Sequence, residues 1–71
     1  MNKALLRSFM VKNNDTQATL ANALGISLSN LNAKINGKTA SFRQNEIAAI
    51  IDRYRLNSAE TEAIFFSEEL S

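Results

Sequence analysis

Only two glycines, Gly25 and Gly37, interrupt this chain, and it has no proline. Each glycine stands just after a run with helical apolar spacing, the place where a left-handed residue closes a helix. The run from Thr16 to Lys38 therefore reads as two short helices joined by a tight turn. Thr16 caps the first, which carries Leu20, Ala21 and Leu24 on one face, and Gly25 ends it. Ser27 caps the second, which carries Leu31 and Ile35.

The rest of the chain fits an all-α fold. Leu5, Leu6, Phe9 and Met10 recur at helical spacing in a first helix from about Lys3 to Asn13, ended at Asn14. Lys38 to Arg43 is the longest connection, with Phe42 expected to plug the core. A fourth helix from about Gln44 to Tyr54 aligns Ile47, Ile50, Ile51 and Tyr54. A fifth follows Asn57, with Glu60 placed to complete a capping box. Its side chains Ile64, Phe65, Phe66 and Leu70 exceed one narrow stripe. Either both rings fold back onto Leu5, Phe9 and Ile50, or one face meets a second copy of the chain.

At 71 residues the chain makes one domain, too short to enclose a large catalytic cleft. It contains neither cysteine nor histidine, so it lacks a thiolate nucleophile, an imidazole base and the ligands that structural zinc sites use. Its acids are scattered along helical stretches with no acid–base grouping. The expectation is a protein that is not an enzyme, with no cofactor, no metal and no small-molecule substrate. No apolar run approaches the roughly 20 residues needed to span a bilayer, and the N-terminus has no secretory hydrophobic region, so a cytoplasmic location is expected.

A net charge of +1 hides an uneven distribution. Up to Arg43, the six cations Lys3, Arg7, Lys12, Lys34, Lys38 and Arg43 face the single acid Asp15, a net of +5; beyond it, two cations face six acids, a net of −4. The first part suits a phosphate backbone and the second does not.

Gln17, the pair Leu20-Ala21, the triplet Leu24-Gly25-Ile26, Ser27, Leu31 and the closing Asn36-Gly37-Lys38 resemble the phage Cro and repressor class of helix-turn-helix proteins. Short prophage-encoded regulators ending in an Ile-Phe-Phe-like helix, here Ile64-Phe65-Phe66, look most similar. The resemblance implies a compact five-helix lambda-repressor-like domain with the helix-turn-helix at helices 2 and 3. It also implies double-stranded DNA as partner and transcription regulation as function.

On that reading Leu20, Leu24, Ile26, Leu31 and Ile35 fix the angle between the two helices. The outer face of the third helix carries Leu28, Ser29, Asn30, Asn32, Ala33 and Asn36, with Lys34 at its flank. The resemblance places the base-contacting positions at Leu28, Ser29, Asn32 and Ala33. Leu28 and Ala33 depart from the long polar side chains common there; they suit thymine methyls but donate no hydrogen bond. Gln17 lies in the first turn of the second helix, where free N–H groups and the helix dipole attract an anion. The resemblance adds Lys38, Thr39 and Arg43 around the same groove. With Asn30, Lys34 and Asn36 these complete the expected backbone-contacting set. The alternative is a protein-interaction module, antitoxin-like or a phage accessory protein, that keeps the shape while its third helix contacts another protein.

Overall fold

The computed structural model describes residues 1–37 and 41–66. The described residues form helices and no strands: α1 (Lys3–Lys12), α2 (Gln17–Leu24), α3 (Leu28–Asn36), α4 (Gln44–Tyr54) and α5 (Ser58–Thr61), followed by a π turn at Glu62–Phe66. The radius of gyration is 11.2 Å, close to the roughly 11 Å of one compact body of this length.

Polar side chains set the helix starts. Asn2 Oδ1 accepts the Leu5 N–H at 3.0 Å, and Ser27 Oγ accepts the Asn30 N–H at 3.0 Å. Thr16 and Thr19 exchange bonds, each hydroxyl accepting the other's backbone N–H, at 3.1 and 2.8 Å. Asn57 and Glu60 make the same reciprocal arrangement at the start of α5. These bonds satisfy donors that the helix itself leaves open.

The helix ends follow the same logic. Gly25 and Gly37 both close their helices in the left-handed region, at φ +72° and +65°. Past Gly25 the Ile26 N–H returns to the Ala21 carbonyl at 3.0 Å, and the Ile26 side chain packs on the core, so the turn is held by a hydrogen bond and an apolar contact. Asn13 caps α1 with its amide on the Phe9 carbonyl at 2.7 Å, and Asn14 takes the positive φ that reverses the chain.

The core joins α1 to α4 and the π turn, while α5 buries none of its own residues. Leu6, Leu20, Leu31, Ile50 and Ile64 are fully buried, flanked by Phe9, Met10, Ala21, Ile35, Tyr54 and Leu56. Leu5, Leu24, Ile26, Phe42 and Ile51 pack against this cluster at its rim.

The end of the chain differs from the expected regular fifth helix. α5 is a single turn, and Glu62–Phe66 widens into a π turn. There Ile64 is fully buried and its carbonyl accepts the Asn2 N–H at 2.7 Å, which ties this end of the chain to the start of α1. The two phenylalanines then part company. Phe65 meets Phe42 edge to face at 5.8 Å, while Phe66 stays 65% exposed. One ring folds back and one does not, because the core closes around Ile64. Leu70 lies outside the described residues.

Candidate nucleic-acid interface

Helix α3 has two chemically distinct sides. Leu31, Lys34 and Ile35 point inward and are buried. Leu28, Ser29, Asn32, Ala33 and Asn36 fall at i, i+1, i+4, i+5 and i+8, and together line one open depression on the outside. Leu28 at its head is about half exposed, an unusual position for a leucine. Asn36 Nδ2 donates to Asn32 Oδ1 at 3.2 Å. This amide pair lies in solvent, so its bond can exchange for another partner at little cost. Asn30 is exposed and uses only its backbone N–H, on Ser27.

Gln17 is half-buried in the first turn of α2, on the chain segment that begins at Asp15. Arg43 precedes α4. Its backbone N–H donates to Glu46 Oε1 at 2.9 Å, while its exposed guanidinium makes no hydrogen bond or ion pair among the described residues and acts on Glu46 only through its charge. Lys38 and Thr39 lie outside the described residues.

Lys34 is the correction. Expected to approach phosphate, it is buried and internally engaged: its Nζ donates to Glu46 Oε1 at 3.0 Å and to the Ser41 carbonyl at 3.2 Å. The physical reason is helical spacing. Lys34 follows Leu31 by three residues and precedes Ile35, so its aliphatic stem lies on the apolar side and its ammonium meets the one acid in the first turn of α4. Burial pushes the Glu46 carboxyl upward, but the Arg43 N–H and the Lys34 ammonium outweigh it and hold the group below its ordinary value.

A second polar cluster has no counterpart in the sequence reading. Asp15, just before α2, accepts from Arg53 Nε at 2.7 Å and Nη2 at 2.9 Å, from the Tyr54 hydroxyl at 2.6 Å, and from the Thr19 hydroxyl. The Arg53 bonds hold the Asp15 carboxyl far below its usual range against the opposing effect of burial, with Thr19 and Tyr54 assisting. Two signals pointed to it: an isolated acid in an otherwise basic segment, and a tyrosine on an apolar stripe whose hydroxyl needs a partner.

The arrangement is a small, largely polar helix face on the outside of α3, backed by the buried Leu31, Lys34 and Ile35. Among the described residues no cluster of three or more His, Cys, Asp or Glu could hold a metal ion, and no helix is long and apolar enough to cross a membrane. No protein-family model matches the chain, and it has no significant match among curated proteins or among solved structures.

Proposed function

We propose that this chain is a sequence-specific double-stranded-DNA-binding regulator of the phage Cro/repressor type, in which α2 and α3 form a helix-turn-helix and α3 enters the major groove. The observation that carries this reading is the outer row of α3. Ser29, Asn32 and Asn36 offer short hydrogen-bonding groups, flanked by Leu28 and Ala33, on a face whose side chains have no partner among the described residues apart from the Asn32–Asn36 pair. Asn bonds adenine bidentately, and Leu and Ala suit thymine methyls, so an A·T-rich half-site is favoured. The close turn at Gly25 and the buried Leu20, Leu31 and Ile35 support it, since a helix-turn-helix needs a tight turn and an apolar seam between its two helices. Gln17, Asn30, Asn36, Lys38, Thr39 and Arg43 remain the proposed backbone contacts.

One such module reads few base pairs, so the functional unit is a dimer on half-sites about 34 to 36 Å apart. The exposed Phe66 ring is the proposed dimer contact. Selection of bound sequences from a random duplex library tests all of this: a palindromic, A·T-rich enrichment is expected. Binding with no sequence enrichment, or none at low salt, rejects it. Leu28, apolar and exposed at the head of α3, favours the second reading, a protein-interaction module, which the same experiment would then leave standing.

A further inference from the structure

The buried Lys34–Glu46 pair ties together three pieces of chain: α3, the segment at Ser41 and the head of α4. Glu46 Oε1 receives Lys34 Nζ from α3 at 3.0 Å and the Arg43 N–H at the head of α4 at 2.9 Å. Lys34 spends a second donor on the Ser41 carbonyl at 3.2 Å. Both charged side chains are nearly inaccessible, at 6% and 7%. Leu31 and Ile35 bury α3, yet packing of aliphatic side chains tolerates small rotations and slides of a helix, whereas a carboxylate shared between two donors does not.

Stability alone is a poor explanation for such a pair. Desolvating two ions offsets much of their attraction, and apolar side chains of similar volume commonly serve a fold as well. What an ion pair adds is a single permitted geometry. The ammonium is three residues from the inward Leu31 and adjacent to Ala33 of the reading row, so the pair sets the rotation of α3 about its own axis. It also fixes the backbone of Arg43, whose guanidinium is left free.

Resting on the DNA-binding reading above, we infer that Lys34 and Glu46 are specificity-determining positioning residues: they touch no DNA, and they hold α3 in the orientation at which its outer row meets base edges. The prediction this makes is a separation of two quantities. Loss of the pair lowers discrimination between duplexes while leaving the sequence-independent phosphate attraction intact.

The test variant is Lys34→Met combined with Glu46→Gln. Met fills the volume of the lysine stem, and the Gln carbonyl still accepts the Arg43 N–H, so both buried charges leave together and the cap survives. The chain has no native cysteine, so spin labels are placed at Asn30→Cys on α3 and Ala49→Cys on α4, both exposed positions; the α3–α4 distance distribution is measured on the labelled chains without DNA, and affinities are measured on chains without the cysteines, because Asn30 is itself a proposed backbone contact. A broadened or shifted distribution is expected in the double variant, together with about a tenfold fall in the ratio of affinities for the selected and a scrambled duplex. The affinity for the scrambled duplex and its salt dependence should not move. An unchanged distance distribution overturns the inference whether or not the chain binds DNA, and so does an unchanged affinity ratio. A salt slope flattened by about 0.9 per protomer also overturns it, since that is the signature of a lost phosphate contact at Lys34. Should the double variant not fold, Lys34→Leu combined with Glu46→Gln again removes both charges and carries the same readouts, and an unbroadened distribution there is equally decisive. A parent protein that selects no duplex removes the DNA-binding reading, and the distance measurement still judges the positioning role.

Discussion

Arg53 grips Asp15 with two nitrogens, Nε at 2.7 Å from Oδ2 and Nη2 at 2.9 Å from Oδ1, across 38 residues of sequence. The bond joins the last turn of α4 to Asp15, the residue before the Thr16 cap of α2. It also neutralises the only acid of the basic N-terminal segment with a cation from the acidic C-terminal one, so the two charge halves of the sequence are not two halves of the molecule. On the DNA-binding reading, Asp15 would otherwise repel phosphate beside Gln17.

Acid should weaken the fold through two carboxylates. Asp15 and Glu46 both sit below their ordinary values of 3.8 and 4.5 in the folded chain. As pH falls the unfolded chain therefore takes up protons first, and stability declines. The contribution is fully present above about pH 5 and is lost as pH drops through and below the ordinary carboxylate range. Thermal midpoints should be level between neutral pH and about pH 5, then fall. Asp15→Asn should lower the plateau by about 2 kcal/mol, as for a lost charged hydrogen-bond network, and make the acid decline shallower. A midpoint that ignores pH down to the carboxylate range would contradict both ionic clusters.

Tyr54 offers a spectroscopic check on the same cluster, because it is the only tyrosine and the chain has no tryptophan. Burial, aided by its hydrogen bond to the Asp15 carboxylate, pushes the phenol well above its ordinary value of 10.0. The phenolate absorbance should therefore appear only in strong alkali. Since the folded value is raised, the neutral phenol's contribution to stability is complete below pH 10 and disappears as pH climbs through the folded value. Asp15→Asn should bring the midpoint part of the way back, leaving the share due to burial. Titration near pH 10 in the parent would place the ring in solvent.

The helical framework was legible because its signals are local. The Thr16, Ser27 and Asn57 caps, the glycines at left-handed C-termini and the apolar spacings all act within one or two turns, and each stands where the sequence reading expected it. The inward role of Lys34 and the Arg53–Asp15 bond were not legible because their partners, Glu46 and Asp15, lie 12 and 38 residues away. Charge along a chain does not reveal which charges are internal; the burial of Lys34 could be read only from its spacing to Leu31. The π turn escaped for a similar reason, since the bond from Asn2 to the Ile64 carbonyl is a tertiary event.

Gly25 should be sensitive to backbone conformation rather than to space. Its φ is +72°, yet an added Cβ would meet nothing within 4 Å. Gly25→Ala should cost about 1 kcal/mol in denaturant melts, and Gly25→Asn less, because Asn tolerates the left-handed region better. Arg55 ends α4 at φ +53° without being glycine, so Arg55→Gly should move stability the other way, by roughly 0.5 to 1 kcal/mol. Equal effects of Ala and Asn at position 25 would mean that the turn does not hold this geometry in solution.

Asn32 is the proposed base contact with the clearest chemistry. Asn32→Ala should leave the melting curve nearly unchanged, since its only side-chain bond among the described residues is the solvent-exposed one from Asn36. Affinity for the selected duplex should fall by about 1 to 3 kcal/mol, with relaxed preference at one base pair. Full affinity and preference would remove Asn32 from the reading row.

The sharpest comparison sets Arg43 against Arg55. Both are exposed cations with no side-chain partner among the described residues, and they stand at opposite ends of α4, roughly 18 Å apart at 1.5 Å per residue. Net charge therefore changes identically when either becomes glutamine, and any difference between the two variants reports where the nucleic acid lies. Arg43→Gln should flatten the dependence of log K on log salt by about 0.9 per protomer and weaken selected and scrambled duplexes alike, the behaviour of a phosphate contact. Arg55→Gln should leave the slope unchanged, because Arg55 stands at the end of α4 opposite the Glu46–Lys34 link to α3. If Arg55 proves the stronger determinant, DNA does not lie along α3 and the head of α4. The outer row of α3 is then better read as a surface for another protein.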